Sequence, residues 1–293
     1  MYDICIIGHV TRDTTITPKH TLHIPGGTAF YMAGALRHLP PKVRTLVVTK
    51  TAEADKDAVE KFNSETTDID IQWLPSRHTV EFENKYAENL NHRTQRVTAK
   101  ADAFTKDDIK NVSAKVFHLG SLLADDYENG CMEELRKKGK VSIDIQGFLR
   151  EVSADGSVVP VAPHRCKDIL KHTDIVKLNG DETVLLTGTY DMTAAATWLH
   201  EQGPEEVIIT LGDEGSIISA GGHDFHIPAY KPRNTADVTG CGDTYSAGYL
   251  WCRAQKATYK EAGEFAAAMC TLKIENDGPF SNSIDDVRTI MSK

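Results

Sequence analysis

Residues 234–250 read NTADVTGCGDTYSAGYL, and the fold follows from how this stretch is understood. Gly240 and Gly242 bracket one small residue, Cys241; Asp243 follows at once, and the run after it reads as a helix. A Gly-x-Gly-Asp at a helix start aims several backbone N–H groups, and the positive end of the helix dipole, at one point in space. Such a point binds anions, phosphate above all. A carboxylate beside an anion site is electrostatically odd unless it has a task. Asp243 is placed to take the proton from a hydroxyl that attacks a phosphoryl group. The plain alternative is a tight strand-to-helix turn in which glycine supplies unusual φ values and the aspartate gains about 0.3–1 kcal/mol from the dipole. That alternative explains the glycines, but not Asp243 together with Asp237 upstream. No GxxxxGK[ST] occurs, so the turn is not a Walker A loop.

Outward from this turn, short apolar runs recur at Ile4–Ile7, Val43–Val48, Val116–Leu119, Val141–Ile145, Ile175–Leu178 and Val207–Leu211. Several are apolar at nearly every position, the pattern of strands covered on both faces. Helical segments fall between them, at Thr28–Leu39, Asp55–Asn63, Asn129–Lys138, His164–His172, Asp181–Leu186 and Thr193–Glu201. This alternation predicts an α/β fold, a mostly parallel sheet with helices on both faces. Residues 69–98 break it with IDIQWL, TVEFENKY and HRTQRVT, read as a small antiparallel β flap inserted into the body, a lid or a dimer contact. Residues 213–227 read as a hairpin turning at Gly221–Gly222, followed by helices at Gly240–Arg253 and Tyr259–Ile274. With no repeats and no linker, one domain over 1–293 carrying the flap is the simplest organisation.

The bulk numbers narrow the function. A net charge of −9 and 40% hydrophobic residues describe an acidic, ordinary globular chain. The charge argues against nucleic acid, whose phosphates demand a basic face. No run approaches the roughly 20 apolar residues of a membrane span, and the N-terminus MYDICIIGHV reads as a buried strand without a signal peptide's basic start. Six scattered cysteines with no CxxC read as free thiols of the cytoplasm. No HExxH or Cys/His cluster suggests structural zinc.

At DVTGCGD the chain resembles the ribokinase/PfkB carbohydrate kinase family, whose signature is Asp-Thr-x-Gly-Ala-Gly-Asp; it departs at Val238 and Cys241, both small replacements. Gly26–Gly27 before a helix is similar to the family's N-terminal glycine pair. Asn179-Gly-Asp-Glu182 is similar to its Asn-x-x-Glu motif, and Thr210-Leu211-Gly212 with Gly215 to its nucleotide-side Thr-Leu-Gly-x-x-Gly. Asp144-Ile145-Gln146-Gly147-Phe148 resembles the Asp-x-Gln-Gly-Phe of some sugar and inositol kinase-like members. Each motif alone is weak; five in order over nearly the whole chain are specific.

The resemblance implies that Gly240, Cys241 and Gly242 offer amides to the γ-phosphate of ATP while Asp243 deprotonates the acceptor. Asn179 and Glu182, three apart at a helix start, offer hard oxygens suited to Mg²⁺ through water. Plain N-capping fits the same spacing, and only the resemblance points to magnesium. It also raises Asp13 above a solvated loop charge, and puts Gly26, Gly27, Asp144 and Gln146 near the acceptor, where strand ends of open sheets gather ligands. Thr210, Gly212 and Gly215 fall on the nucleotide side, flanking adenine. Arg150 could add positive charge near the phosphate, or lie at the surface. Phe82, Asn84, Tyr86, Arg93 and Gln95 of the flap could cover the substrate. Cys241 stands where a helix terminus lowers a thiol's pKa, which opens a redox role; a small side chain in an alanine's place is the simpler account. A monovalent cation site near Asp237 is common in the family, and the residues alone do not reveal one.

The reading that results is an ATP-dependent kinase phosphorylating a hydroxyl of a sugar or polyol, the Asp-x-Gln-Gly-Phe leaning towards inositol-like acceptors. A nucleoside kinase of the same family, of the adenosine type, gives the same signals. A non-catalytic sugar or nucleotide sensor on a kinase fold is the rival from another class, and the intact Asp243 argues against it. Exposed strand edges make a homodimer through the flap an expectation, with neither nucleic acid nor membrane as partner.

Overall fold

The computed structural model describes residues 1–18, 20–59, 69–86, 93–160 and 166–292. Its strands, in chain order, are β1 (Tyr2–Gly8), β2 (Thr11–Ile16), β3 (Thr21–Gly26), β4 (Thr45–Ala52), β5 (Ile69–Ser76), β6 (Val80–Tyr86), β7 (Arg93–Ala99), β8 (Ala114–Gly120), β9 (Lys140–Asp144), β10 (Arg150–Val152), β11 (Val158–Pro160), β12 (Ile175–Asn179), β13 (Glu206–Thr210), β14 (Ser216–Ala220) and β15 (His223–Ile227). Nine of them form one sheet in the order β15-β14-β13-β12-β9-β8-β1-β4-β5. All neighbours from β13 to β5 pair in parallel; β14 and β15 add on antiparallel.

Side chains alternate across a strand, so a strand apolar at every position feeds two cores. In β1, Ile4 and Ile6 pack under the helices Thr28–Leu36, Cys241–Ala254 and Tyr259–Ile274, while Cys5 and Ile7 pack with Leu135, Leu170 and Leu199 of the opposite face. The α/β architecture expected from the alternation is what forms. The hairpin β14–β15 turns at Gly221 and Gly222, with φ of 60° and 78°, the left-handed pair that matches the twist of a two-residue hairpin.

The flap drawn over residues 69–98 is corrected at its start. IDIQWL belongs to β5, an edge strand of the main sheet that pairs with β4 from Thr45 to Ala52. The alternation Ile69, Ile71, Trp73 marks a strand with one wet face, and an edge of the large sheet satisfies that pattern as well as a lid does. The lid is instead a four-stranded sheet, β3-β2-β6-β7. Two antiparallel hairpins are joined by parallel pairing of β2 with β6, over a small core of Val80, Phe82, Val97 and Leu123. Of the expected helices, Asp55–Asn63 lies partly outside the described residues. His164–His172 is described only as Cys166–Lys171. A C-terminal helix, Ile284–Met291, was not anticipated. No helix among the described residues is long and apolar enough to cross a membrane.

Candidate active site

Parallel strands end on one side of the sheet, and there the predicted residues meet. Asp144 closes β9, Asn179 closes β12 and Thr210 closes β13. The helix Cys241–Ala254 starts beside them, as ligand sites in open α/β sheets lead one to expect. Its N-cap is Gly240 at φ 75°, with no side-chain cap. A Cβ here would lie 2.2 Å from Cδ1 of Tyr31, so both the backbone angle and the space demand glycine. The Cys241 amide turns back to the Val238 carbonyl at 3.2 Å. The amides of Gly240, Gly242 and Asp243 meet no protein acceptor among the described residues. The expectation for Cys241 is therefore adjusted: the turn presents its neighbours' amides.

Beneath the turn lies a buried ion pair. Lys177 Nζ is 2.5 Å from Asp144 Oδ2, and the lysine side chain is 6% exposed. Burial works against the Lys177 ammonium, yet the negative charges of Asp144 and Glu182 hold its pKa above the ordinary value. Burial likewise opposes the Asp144 carboxylate, and Lys177 overcomes it, keeping Asp144 ionised. Asp243 is in the opposite position. Withdrawal from water, then the charge of Asp144, push its carboxyl up to about 6, against the pull of the Thr28 hydroxyl and Lys177. A carboxyl poised near neutrality is what a general base requires. His118, buried behind this pair, is pushed down to about 4 by burial and stays neutral. Its Nδ1 lies 3.0 Å from Ser142 Oγ.

Asn179 and Glu182 form a reciprocal capping box: the Glu182 amide donates to Asn179 Oδ1 at 2.8 Å, and the Asn179 amide to Glu182 Oε2 at 2.9 Å. Burial and the nearby Asp144 raise the pKa of Glu182. Burial also pushes the Cys241 thiol up to about 11. That is opposite to the lowering expected of a helix terminus, so a reactive thiolate there is not supported.

Two cavities meet at this turn. The first, about 370 Å³, is mostly polar. Its floor holds Asp144, Gln146, Lys177, Glu182, Gly240 and Asp243; its roof is the lid, with Asp13, Phe82, Asn84 and Gln95, and Arg150 at its wall. Asp13 Oδ1 accepts the Thr11 hydroxyl at 2.7 Å, and Asn84 Oδ1 accepts Gln95 Nε2 at 3.0 Å. Gly27 lines the cavity; Gly26 sits just behind, where a Cβ would collide with the Asp13 carboxylate at 2.7 Å. The second cavity, about 640 Å³, is mostly apolar, between Gly212, Gly215, Tyr230, Tyr245, Ala267 and Thr271. Asn179, Thr210, Val238 and Gly242 line both. The site residues singled out in the sequence thus lie in or against one connected cleft, except Asp237, which lines neither cavity, and Tyr86 and Arg93, whose side chains lie outside the described residues.

The sequence matches the model of the pfkB family carbohydrate kinases over residues 2–285. The chain belongs to that family. A cytidine kinase of Thermococcus kodakarensis is 27% identical over 254 residues, 85% of this chain and 88% of that protein. A sulfate complex of a pyrophosphate-dependent kinase in the ribokinase family superposes with a TM-score of 0.84 at 25% identity, covering 98% of this chain and 100% of the other. Arabidopsis thaliana ribokinase, complexed with ribose and ATP, superposes at 0.77 with 17% identity, covering 100% and 99%. The protein is a carbohydrate-kinase-type phosphotransferase.

Lys177, Tyr31, Thr11 and Thr28 of this kinase also line the polar cavity, though no motif marks them. Lys177 did leave a signal, a lone charge inside the apolar strand IVKLN, since a buried lysine needs a partner. Tyr31 left none: it matters because its ring lies over Gly240, a contact across 209 residues of sequence from 31 to 240.

Proposed function

We propose that this kinase moves the γ-phosphoryl group of ATP onto a hydroxyl of a sugar or polyol. The observation that carries the reading is the position of Asp243, at the seam where a polar cavity meets an apolar one beneath unpaired amides. The acceptor would lie in the polar cavity, its hydroxyls bonded by Asp13, Gln146 and the lid amides of Asn84 and Gln95. Asp243 takes the attacking hydroxyl's proton. The turn's amides, with Lys177 below, hold the negative charge that develops on the transferring group without reorganising. The lid over the acceptor excludes water, which suppresses hydrolysis of the donor.

ATP suits the second cavity: about 640 Å³ with largely apolar walls is room for a nucleoside, whereas pyrophosphate would leave it empty. Thr210, Gly212 and Gly215 would bracket the nucleotide, and Asn179 its phosphates. Magnesium fits on donor chemistry. No group of three or more metal-ligating side chains exists among the described residues, and Glu182 already caps a helix through Oε2. These residues suit a hydrated ion held mainly by donor phosphates and reached by Glu182 through water, neutralising their charge. Free cysteines, among the described residues, fit the cytoplasm. Leu22 and Ile24, 48% and 39% exposed on the edge strand β3, support a dimer through the lid, which sedimentation would test.

A nucleoside acceptor is the second reading, and the cytidine kinase relative favours it. An ATP-coupled screen of myo-inositol, hexoses, pentoses and nucleosides separates the two. Turnover on a polyol or sugar in preference to cytidine is expected. Preference for nucleosides replaces the first reading, and ATP consumption with none of them removes both.

A further inference from the structure

A second buried lysine stands on the other side of the turn. Lys273, in the last turn of the helix Tyr259–Ile274, has a side chain with 0% exposure. Its Nζ donates to the Asp237 carbonyl at 2.8 Å and to Asp237 Oδ2 at 2.9 Å. Asp237 Oδ1 accepts the Thr239 amide at 2.8 Å. The amides of Ala236 and Asp237 reach the Ile274 carbonyl at 2.7 and 3.3 Å. The chain entering the anion turn is therefore fastened to the end of one helix, and the fastening is a positive charge. Burial opposes the Asp237 carboxylate, but the Thr239 amide and Lys273 keep it ionised.

Family resemblance led to the expectation of a monovalent cation near Asp237. An alkali cation at such a place would take a carboxylate and main-chain carbonyl oxygens in place of its water. In this chain those oxygens on Asp237 are bonded by an ammonium that cannot diffuse away. Two like charges on the same oxygens, one of them the fully buried Lys273 ammonium, would repel, so the residues present do not fit a free cation. We propose that Lys273 is a built-in substitute for the monovalent cation, and that this kinase organises its anion turn without potassium or sodium. The effect on turnover rests on reading the turn as the phosphoryl cradle. The replacement of the ion stands on the geometry alone.

The test needs neither donor nor acceptor. Melting temperature is measured in potassium chloride and in tetramethylammonium chloride at matched ionic strength, for the parent and for Lys273→Met, which keeps the length and loses the charge. The parent should melt alike in both salts. The variant should melt lower in tetramethylammonium and recover by several degrees, saturably, in potassium, as a ligand of the folded state does. Once an acceptor is known, turnover of the variant should also rise with potassium while that of the parent stays flat. Potassium-selective stabilisation of the parent overturns the proposal. So does a folded variant that ignores potassium. Should Lys273→Met not fold, the refolding yield of Lys273→Gln in the two salts decides, and equal yields overturn it. Failure of the acceptor screen would leave these melting curves unchanged, so the two readings fail separately.

Discussion

The two cavities that share Gly242 are built on different principles. The polar one, about 370 Å³, collects charged and amide side chains from strand ends that are far apart in sequence and closes them under a lid. The apolar one, about 640 Å³, is bounded by the turn after β13, the segment from Ala229 to Val238 and the two long C-terminal helices, and apart from Asn179 its lining comes from the last third of the chain. One side fixes direction and charge; the other supplies area. With the donor in the apolar cavity, as proposed, reactivity and donor affinity should be separately alterable in this kinase, except at the four residues common to both. Substitutions on each side can break or sharpen that separation.

The largest effect is expected on the seam. Asp243→Asn should lower turnover by about 10²–10⁴, the usual worth of a positioned base, and leave donor affinity within a few-fold by calorimetry. In the parent, kcat/KM should fall as pH drops through about 6, where Asp243 takes up its proton. The stability effect has the opposite sign. A carboxyl raised from 3.8 to about 6 binds its proton more tightly in the folded state, so ionising it costs stability as pH rises through that window. Asp243→Asn should therefore melt higher than the parent at neutral pH, and the gain should shrink as pH falls towards 4. Near-normal turnover in the variant would take Asp243 out of the reaction.

Next comes the floor of the polar side. Lys177→Met leaves Asp144 buried without its partner. Breaking a buried pair in this way costs about 3–5 kcal/mol, readable as a lower urea midpoint with unchanged slope. Because Lys177 pulls the Asp243 pKa down, the acid limb of any remaining activity should also move to higher pH. A variant as stable as the parent would mean that Asp144 is already protonated.

These two residues also mark what sequence could and could not reveal. Asp243 was legible because its chemistry is local: glycines, carboxylate and helix start lie within four consecutive positions, Gly240 to Asp243. The same holds for Asn179 with Glu182, and for the glycines after β13. The parallel sheet was legible because strands such as CIIG and VIIT are apolar on both faces. The lid was not. β2 and β3 read TRDTTI and TLHIPG, nearly as polar on one face as on the other, so no alternation announced them. β5 carried an honest alternation that an edge strand and a lid strand share. Lys177 and Lys273 were hidden for another reason. Each matters through a partner 33 or 36 residues away, Asp144 and Asp237, and only the packed sheet and helices bring them together.

The smallest effect is expected on the apolar side, and it is the one that identifies the donor. Ala229 is exposed at the rim of the larger cavity and has no part in the charges around Asp243. Ala229→Trp should fill space that a nucleoside would use. If ATP binds there, its KM should rise about tenfold with kcat nearly unchanged, the pattern of lost uniform binding. The acceptor KM should not move, because the polar cavity proposed for the acceptor does not include this residue. A pyrophosphate donor, seated only on the turn, would be indifferent to the tryptophan. An unchanged donor KM would therefore place the phosphate source at the seam alone and leave the apolar cavity without a nucleotide.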